Sequence, residues 1–166
     1  KASSSNKTSS NMLLFVDEKF NTNGLKKYIS NSEFYYINDL LKNSDLKKDI
    51  LSFEINSKKT IFLVSVKKDI KLSDIENLGA KFHGFLSQDK SQDYIVNSDT
   101  VNSKIKNFVG YFLHGLKLKS YKFNTYKSKK DKKIISINIT GVKNKITTQD
   151  ILRFKAIEEG SFFARD

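Results

Sequence analysis

The sequence contains no cysteine and no proline, and arginine occurs only at Arg153 and Arg165. Without cysteine there are neither disulfides nor thiolate metal ligands, a composition that suits a reducing cytoplasm. No apolar stretch approaches the ~20 residues of a membrane-spanning helix, and the longest, such as residues 61–66, are strand-length. Residues 1–11 form a Ser/Asn/Lys tract without the apolar middle of a secretory signal. Such a tract has nothing to bury against its ordering entropy, so a flexible tail is expected there. The scarcity of arginine also bears on partners. All but two of the 30 basic residues are lysine, and the net charge is +12. Arginine grips phosphates and guanine edges with two fixed donors, whereas lysine is a point charge, so this balance favours diffuse attraction over base reading. The Lys-, Asn- and Ile-rich profile also matches a plain compositional bias.

What is present is enough for one domain. A chain of 166 residues buries roughly two-thirds of the surface that its unfolded form exposes. Apolar residues 12–16 read as a first buried strand, ended by the turn-forming residues 17–24. Phe34, Ile37, Leu40 and Leu41 keep helical spacing for one or two turns. Residues 49–55 and 59–66 flank Asn56 and Ser57 and read as a hairpin. Ser73 and Glu76 form a capping-box pattern ahead of Ile75, Leu78, Phe82 and Leu86, which share one face with Leu72. Residues 94–96 and 133–140 are further strand candidates, and a last helix starts near Thr147, with Leu152, Ala156, Gly160 and Phe163 on its inner side. Strands separated by helices predict an α/β fold with a mixed sheet and helices on both faces.

The pattern that organises the chain lies at residues 102–133. Val101, Ile105, Phe108, Val109, Phe112, Leu113 and Leu116 recur at helical spacing, with Asn102, Lys104, Lys106, Asn107 and His114 opposite them. The spacing predicts a helix from residue 102 to about Gly115 that lies on the sheet. A segment follows in which Lys117, Lys119, Lys122, Lys127, Lys129, Lys130, Lys132 and Lys133 are interleaved with Tyr121, Phe123 and Tyr126. Single-stranded nucleic-acid surfaces combine these ingredients. The competing reading packs the rings inside and leaves the lysines as a solvated rim.

Within that segment, Gly115-Leu116 and then Ser120-Tyr121-Lys122-Phe123-Asn124-Thr125-Tyr126-Lys127-Ser128-Lys129-Lys130 resemble a stretch of the leucine (cytosol) aminopeptidases. Lys122 and Asn124 stand where that family commonly has arginine and aspartate. Residues 156–166, with Ala156, Glu159-Gly160 and Ala164-Arg165-Asp166, resemble the family's helix that leads into its catalytic domain. The resemblance implies that residues 12–166 are the amino-terminal, non-catalytic domain of a cytosolic leucyl aminopeptidase, a three-layer α/β/α sandwich similar to macro domains. It further implies a carboxy-terminal partner domain that binds two divalent ions, manganese or zinc, and the peptide substrate. Assembly into a hexamer is implied as well.

The residues themselves offer little catalytic chemistry. His83 and His114 have no second histidine three or four positions away, and surface or cap positions are expected for both. The carboxylates are scattered, there is no Gly-x-Ser-x-Gly elbow, and five of the seven glycines fall in helical patterns instead of a phosphate-cradling loop. No catalytic, cofactor or metal residue is therefore assigned in this chain. Phe154 and Phe162 fall towards the charged side of the last helix. They read either as an interdomain contact or as ordinary single exposed apolar residues. The function expected is that of a supporting domain, and the alternative is a basic module that binds nucleic acid or, failing that, nucleotide.

Overall fold

The computed structural model describes residues 11–86, 92–124 and 135–141. Five strands, β1 (Asn11–Asp17), β2 (Ile50–Asn56), β3 (Lys59–Val66), β4 (Gln92–Asn97) and β5 (Ile135–Thr140), form one sheet in the order β2-β3-β1-β4-β5. Strands β3, β1, β4 and β5 run parallel, and only the edge strand β2 is antiparallel to its neighbour. Among the described residues three helices, α1 (Asn31–Leu41), α2 (Leu72–Leu86) and α3 (Phe108–Asn124), connect them. The fold is thus α/β with a mixed sheet, as the pattern of elements predicts.

The central strands are continuous apolar runs because they are buried on both faces. Leu13 and Phe15 of β1, with Phe62, Val64 and Val66 of β3, point to the side covered by α2 and α3. Leu14, Val16, Ile61 and Leu63 point the other way, onto α1. Two cores on opposite faces of one sheet make three layers. Residues 50–66 form the expected hairpin, with a register shift between Glu54 and Asn56. The first helix is longer than its four apolar positions suggest. Ser30 and Glu33 form a full capping box, Ser30 Oγ accepting from the Glu33 N–H at 3.1 Å and the Glu33 carboxylate accepting from the Ser30 N–H at 3.0 Å.

The predicted helix at residues 102–115 is shifted. It begins at Phe108 and continues without a break past Gly115 to Asn124. Asn107 has φ of 62°, a left-handed conformation that stops the helix from running back through it, and its carbonyl accepts the Tyr111 N–H at 3.1 Å. Val101 is still buried and Ile105 still packs on the core. They do so from a loop, so their spacing continues the apolar face without sharing its helix. Phe108, Phe112 and Leu116 are buried as expected, and Phe15 meets Phe108 and Phe112 edge-on with ring centres 5.3 and 5.5 Å apart. Leu72 departs from the predicted inner face of α2 and is largely exposed.

Helices α2 and α3 touch backbone to backbone. A Cβ at Gly79 would overlap the carbonyl oxygen of Phe112, and a Cβ at Gly115 would overlap that of Glu76. Neither neighbour is a flexible side chain, so neither has room to yield. Beside this contact His114 Nδ1 and Glu76 Oε2 are 2.7 Å apart. The capping-box reading of Ser73 and Glu76 is therefore corrected. Asp74 performs that task by accepting the Lys71 N–H at 3.1 Å, because the helix starts earlier and turns Glu76 towards α3.

A buried ion pair ties α1 to the sheet. Lys59 is only 7% exposed, and its ammonium lies 2.8 Å from Glu33. Burial alone pushes the Glu33 carboxyl up, but hydrogen bonds from Lys59 and the Ser30 N–H, with the lysine charge, outweigh it and hold the group below its ordinary value. The folded protein therefore binds fewer protons than the unfolded chain in acid. This contribution to stability is complete above the ordinary glutamate range of roughly pH 4.3 and is lost as pH falls through the lower folded value. Urea denaturation at stepped acid pH should show that loss, and Glu33→Gln should flatten this part of the profile. In the same assay Gly79→Ala should cost about 3 kcal/mol or more, since only backbone could move. Gly84→Ala, where an added Cβ meets nothing within 4 Å, should stabilise by about 0.5 to 1 kcal/mol.

Candidate functional site

In open α/β sheets, ligands commonly sit beyond the carboxyl ends of the strands where the strand order reverses. Here β1 pairs with β4 only through Asn11, Met12 and Leu13, and the chain then turns into a single 3-10 turn, Ser98–Thr100. Thr100 Oγ1 accepts the Phe15 N–H at 2.9 Å, replacing the next strand-to-strand bond. Ser98 Oγ donates to the Thr140 carbonyl at 2.8 Å, tying the end of β5 to the same turn. Gly141 follows with φ of 100°, and a Cβ there would lie 2.7 Å from Ser98 Oγ. The crevice between β1 and β4 thus holds the protein's own turn.

An open groove of about 740 Å³ lies instead beside the end of β3. Asp49 is placed there by the Ser65 N–H, which donates to its carbonyl at 2.8 Å. Asp74, Asn77, Lys81 and Gly84 line it from one flank of α2, at the three-to-four residue spacing of a helical face. Lys67 enters from the loop after β3, and Lys119 from α3. Lys81 pairs with the Asp49 carboxylate. His83 also lines this groove and is 8% exposed, while His114 is 5% exposed against Glu76 of α2. Both correct the expected surface or cap positions: His114 is covered where α3 meets α2, and His83 is buried in the wall of the groove. Among the described residues, no three His, Asp or Glu side chains converge to hold a metal ion.

No protein-family model matches the chain, and no curated protein matches it. Solved structures do. The chain is similar to a tomato leucine aminopeptidase mutant at 17% identity and a TM-score of 0.56, over 90% of this chain and 32% of that one. It shares its fold with part of a leucine aminopeptidase. It is also similar to the cytosol aminopeptidase of Coxiella burnetii at 14% identity and a TM-score of 0.49, over 88% of this chain and 28% of that one. The chain thus spans about a third of the length of the solved structures it matches.

Of the lysines expected to form a basic surface, Lys117 and Lys119 lie exposed on α3, and Lys122 falls on the last turn of the same helix. Lys127, Lys129, Lys130, Lys132 and Lys133 lie outside the described residues, as do Phe154 and Phe162. The first part of the lysine segment is therefore the continuation of α3 and not a separate piece. Gly115, which has the look of a helix stop in sequence, marks a close helix contact instead. Sequence reasoning does not single out the groove residues Lys67 and Lys81. The signal for the second is the polar stripe at positions 74, 77 and 81, which flanks an otherwise apolar helix. No described helix is long and apolar enough to cross a membrane.

Exposed lysines without paired arginines should bind nucleic acid only through screened charge. Titration of labelled single-stranded and duplex DNA should give weak binding with no sequence preference, falling steeply as salt rises from about 50 to about 200 mM.

Proposed function

We propose that this chain is the non-catalytic amino-terminal domain of a cytosolic two-metal leucyl aminopeptidase. Residues 12–166 form its macro-like domain, and the segment around Glu159, Gly160 and Arg165 leads into the catalytic domain. One conjunction carries the reading. A fold similar to part of a leucine aminopeptidase occurs in a chain whose residues 115–130 and 156–166 resemble, in order, two stretches of that family.

The division of labour follows from metal chemistry. Bringing a bound water's pKa towards neutrality takes ions held by several fixed ligands with a position left open. In this reading the two manganese or zinc ions and the groups that act on the peptide belong to the downstream domain, which this chain supports. Its own residues supply rigidity. The backbone contact of α2 with α3 and the sheet beneath it provide a stiff platform against which that domain and neighbouring subunits of a hexamer would pack.

The test is release of an aminoacyl chromophore in the presence of manganese or zinc. The purified chain should give none, while a protein extended through the downstream domain should turn over and lose activity to chelator. Chelator-sensitive turnover by the chain alone would overturn the non-catalytic assignment. An extended protein lacking a carboxylate-rich metal motif would overturn the family assignment.

A further inference from the structure

We propose that the groove beside α2 binds a small phosphorylated organic molecule. Its cations come from three separate parts of the fold, Lys67 after β3, Lys81 on α2 and Lys119 on α3, and local sequence proximity does not account for their meeting on one cavity. Of the two carboxylates in the wall, one is ion-paired and the other caps the start of α2. Asp49 faces Lys81, and Asp74 accepts the Lys71 N–H. Among the described residues Lys67 and Lys119 make no ion pair, so even against the charge that Asp74 keeps, the wall stays positive and favours an anion. Ammonium groups on flexible stems suit phosphate oxygens as point charges without demanding a fixed approach.

The rest of the groove argues for an organic body on that phosphate. Leu78 is buried and Ile70 half-buried in its wall, and Asn77 offers an amide beside them. A volume of about 740 Å³ falls within the roughly 300 to 1,000 Å³ of small-molecule sites. A nucleic-acid backbone fits less well, because it would have to run past the carboxylate of Asp74, which repels a continuous polyanion. Binding in this groove does not depend on the aminopeptidase reading, and the failure of either leaves the other standing.

The experiment is a titration of the full chain, followed by amide chemical shifts, with ribose 5-phosphate, AMP, ribose, adenosine and inorganic phosphate. Saturable shifts at Lys67, Asn77, Lys81 and Lys119 are expected with the two organic phosphates and not with ribose or adenosine. Lys67→Gln combined with Lys119→Gln should weaken binding at least tenfold with an unchanged thermal midpoint, because both side chains are exposed. The corresponding arginine pair should retain it. Three outcomes would overturn the proposal. They are the absence of saturation, shifts spread over the surface lysines generally, and inorganic phosphate binding as tightly as the organic phosphates, which would leave the apolar wall without a role.

Discussion

The close approach of α2 and α3, which Gly79 permits against Phe112 and Gly115 permits against Glu76, is the constraint on which the upper layer depends. Each helix lacks a side chain where the other's carbonyl oxygen passes, so the two axes approach until backbone meets backbone. At that separation Phe82 and Phe112, with ring centres 5.9 Å apart, both reach down to the sheet. Phe62 and Tyr94 then fill the space below, each within about 6 Å of Phe82. Had either position carried a larger residue, the helices would separate and the aromatic cluster would lose the close packing that gives a core a single arrangement. The Glu76 and His114 pair sits beside the contact and adds a polar link in a place where register along both helices is already set.

Much of this is legible in the residue pattern, and the departures have physical causes. Strands β1 and β3 are plain because both of their faces are buried, so apolar residues run without alternation. The start of α3 is misplaced by sequence because Val101 and Ile105 keep helical spacing while lying in a loop. Periodicity reports which side chains face the core, and a loop draped along a helix axis can satisfy it. The real signal is Asn107, one of the few residue types that tolerates a left-handed backbone. The histidines depart from expectation for another reason. Their burial is a tertiary property, and for His114 it comes with the helix-to-helix approach that glycine spacing on two distant segments encodes only jointly. The groove is hidden in the same way, since Lys67, Lys81 and Lys119 share no local motif.

The charges divide into two kinds with different physical weight. Lys59 is withdrawn from water and answered by Glu33, so it acts as an internal fastener whose removal would strand a carboxylate. Lys117 and Lys119 stand in solvent, where salt screens them within about 8 Å at physiological ionic strength. The net charge of +12 therefore describes the reach of the surface more than the strength of the fold, and composition alone does not separate the two roles.

The order of strands in the sheet has a consequence for how the chain is made. Strand β1 leaves a ribosome before its neighbours, yet it occupies the middle of the sheet, and its partners β3 and β4 follow about 50 and 80 residues later by the register of Met12 with Ile61 and Ile95. The hairpin of β2 and β3 closes from neighbouring residues and is available early. The apolar side chains from Met12 to Val16 must wait for it and then for β4 before both of their edges are paired. During that interval a nascent chain carries an unpaired apolar strand, the kind of segment that chaperones recognise and that pairs wrongly when left alone.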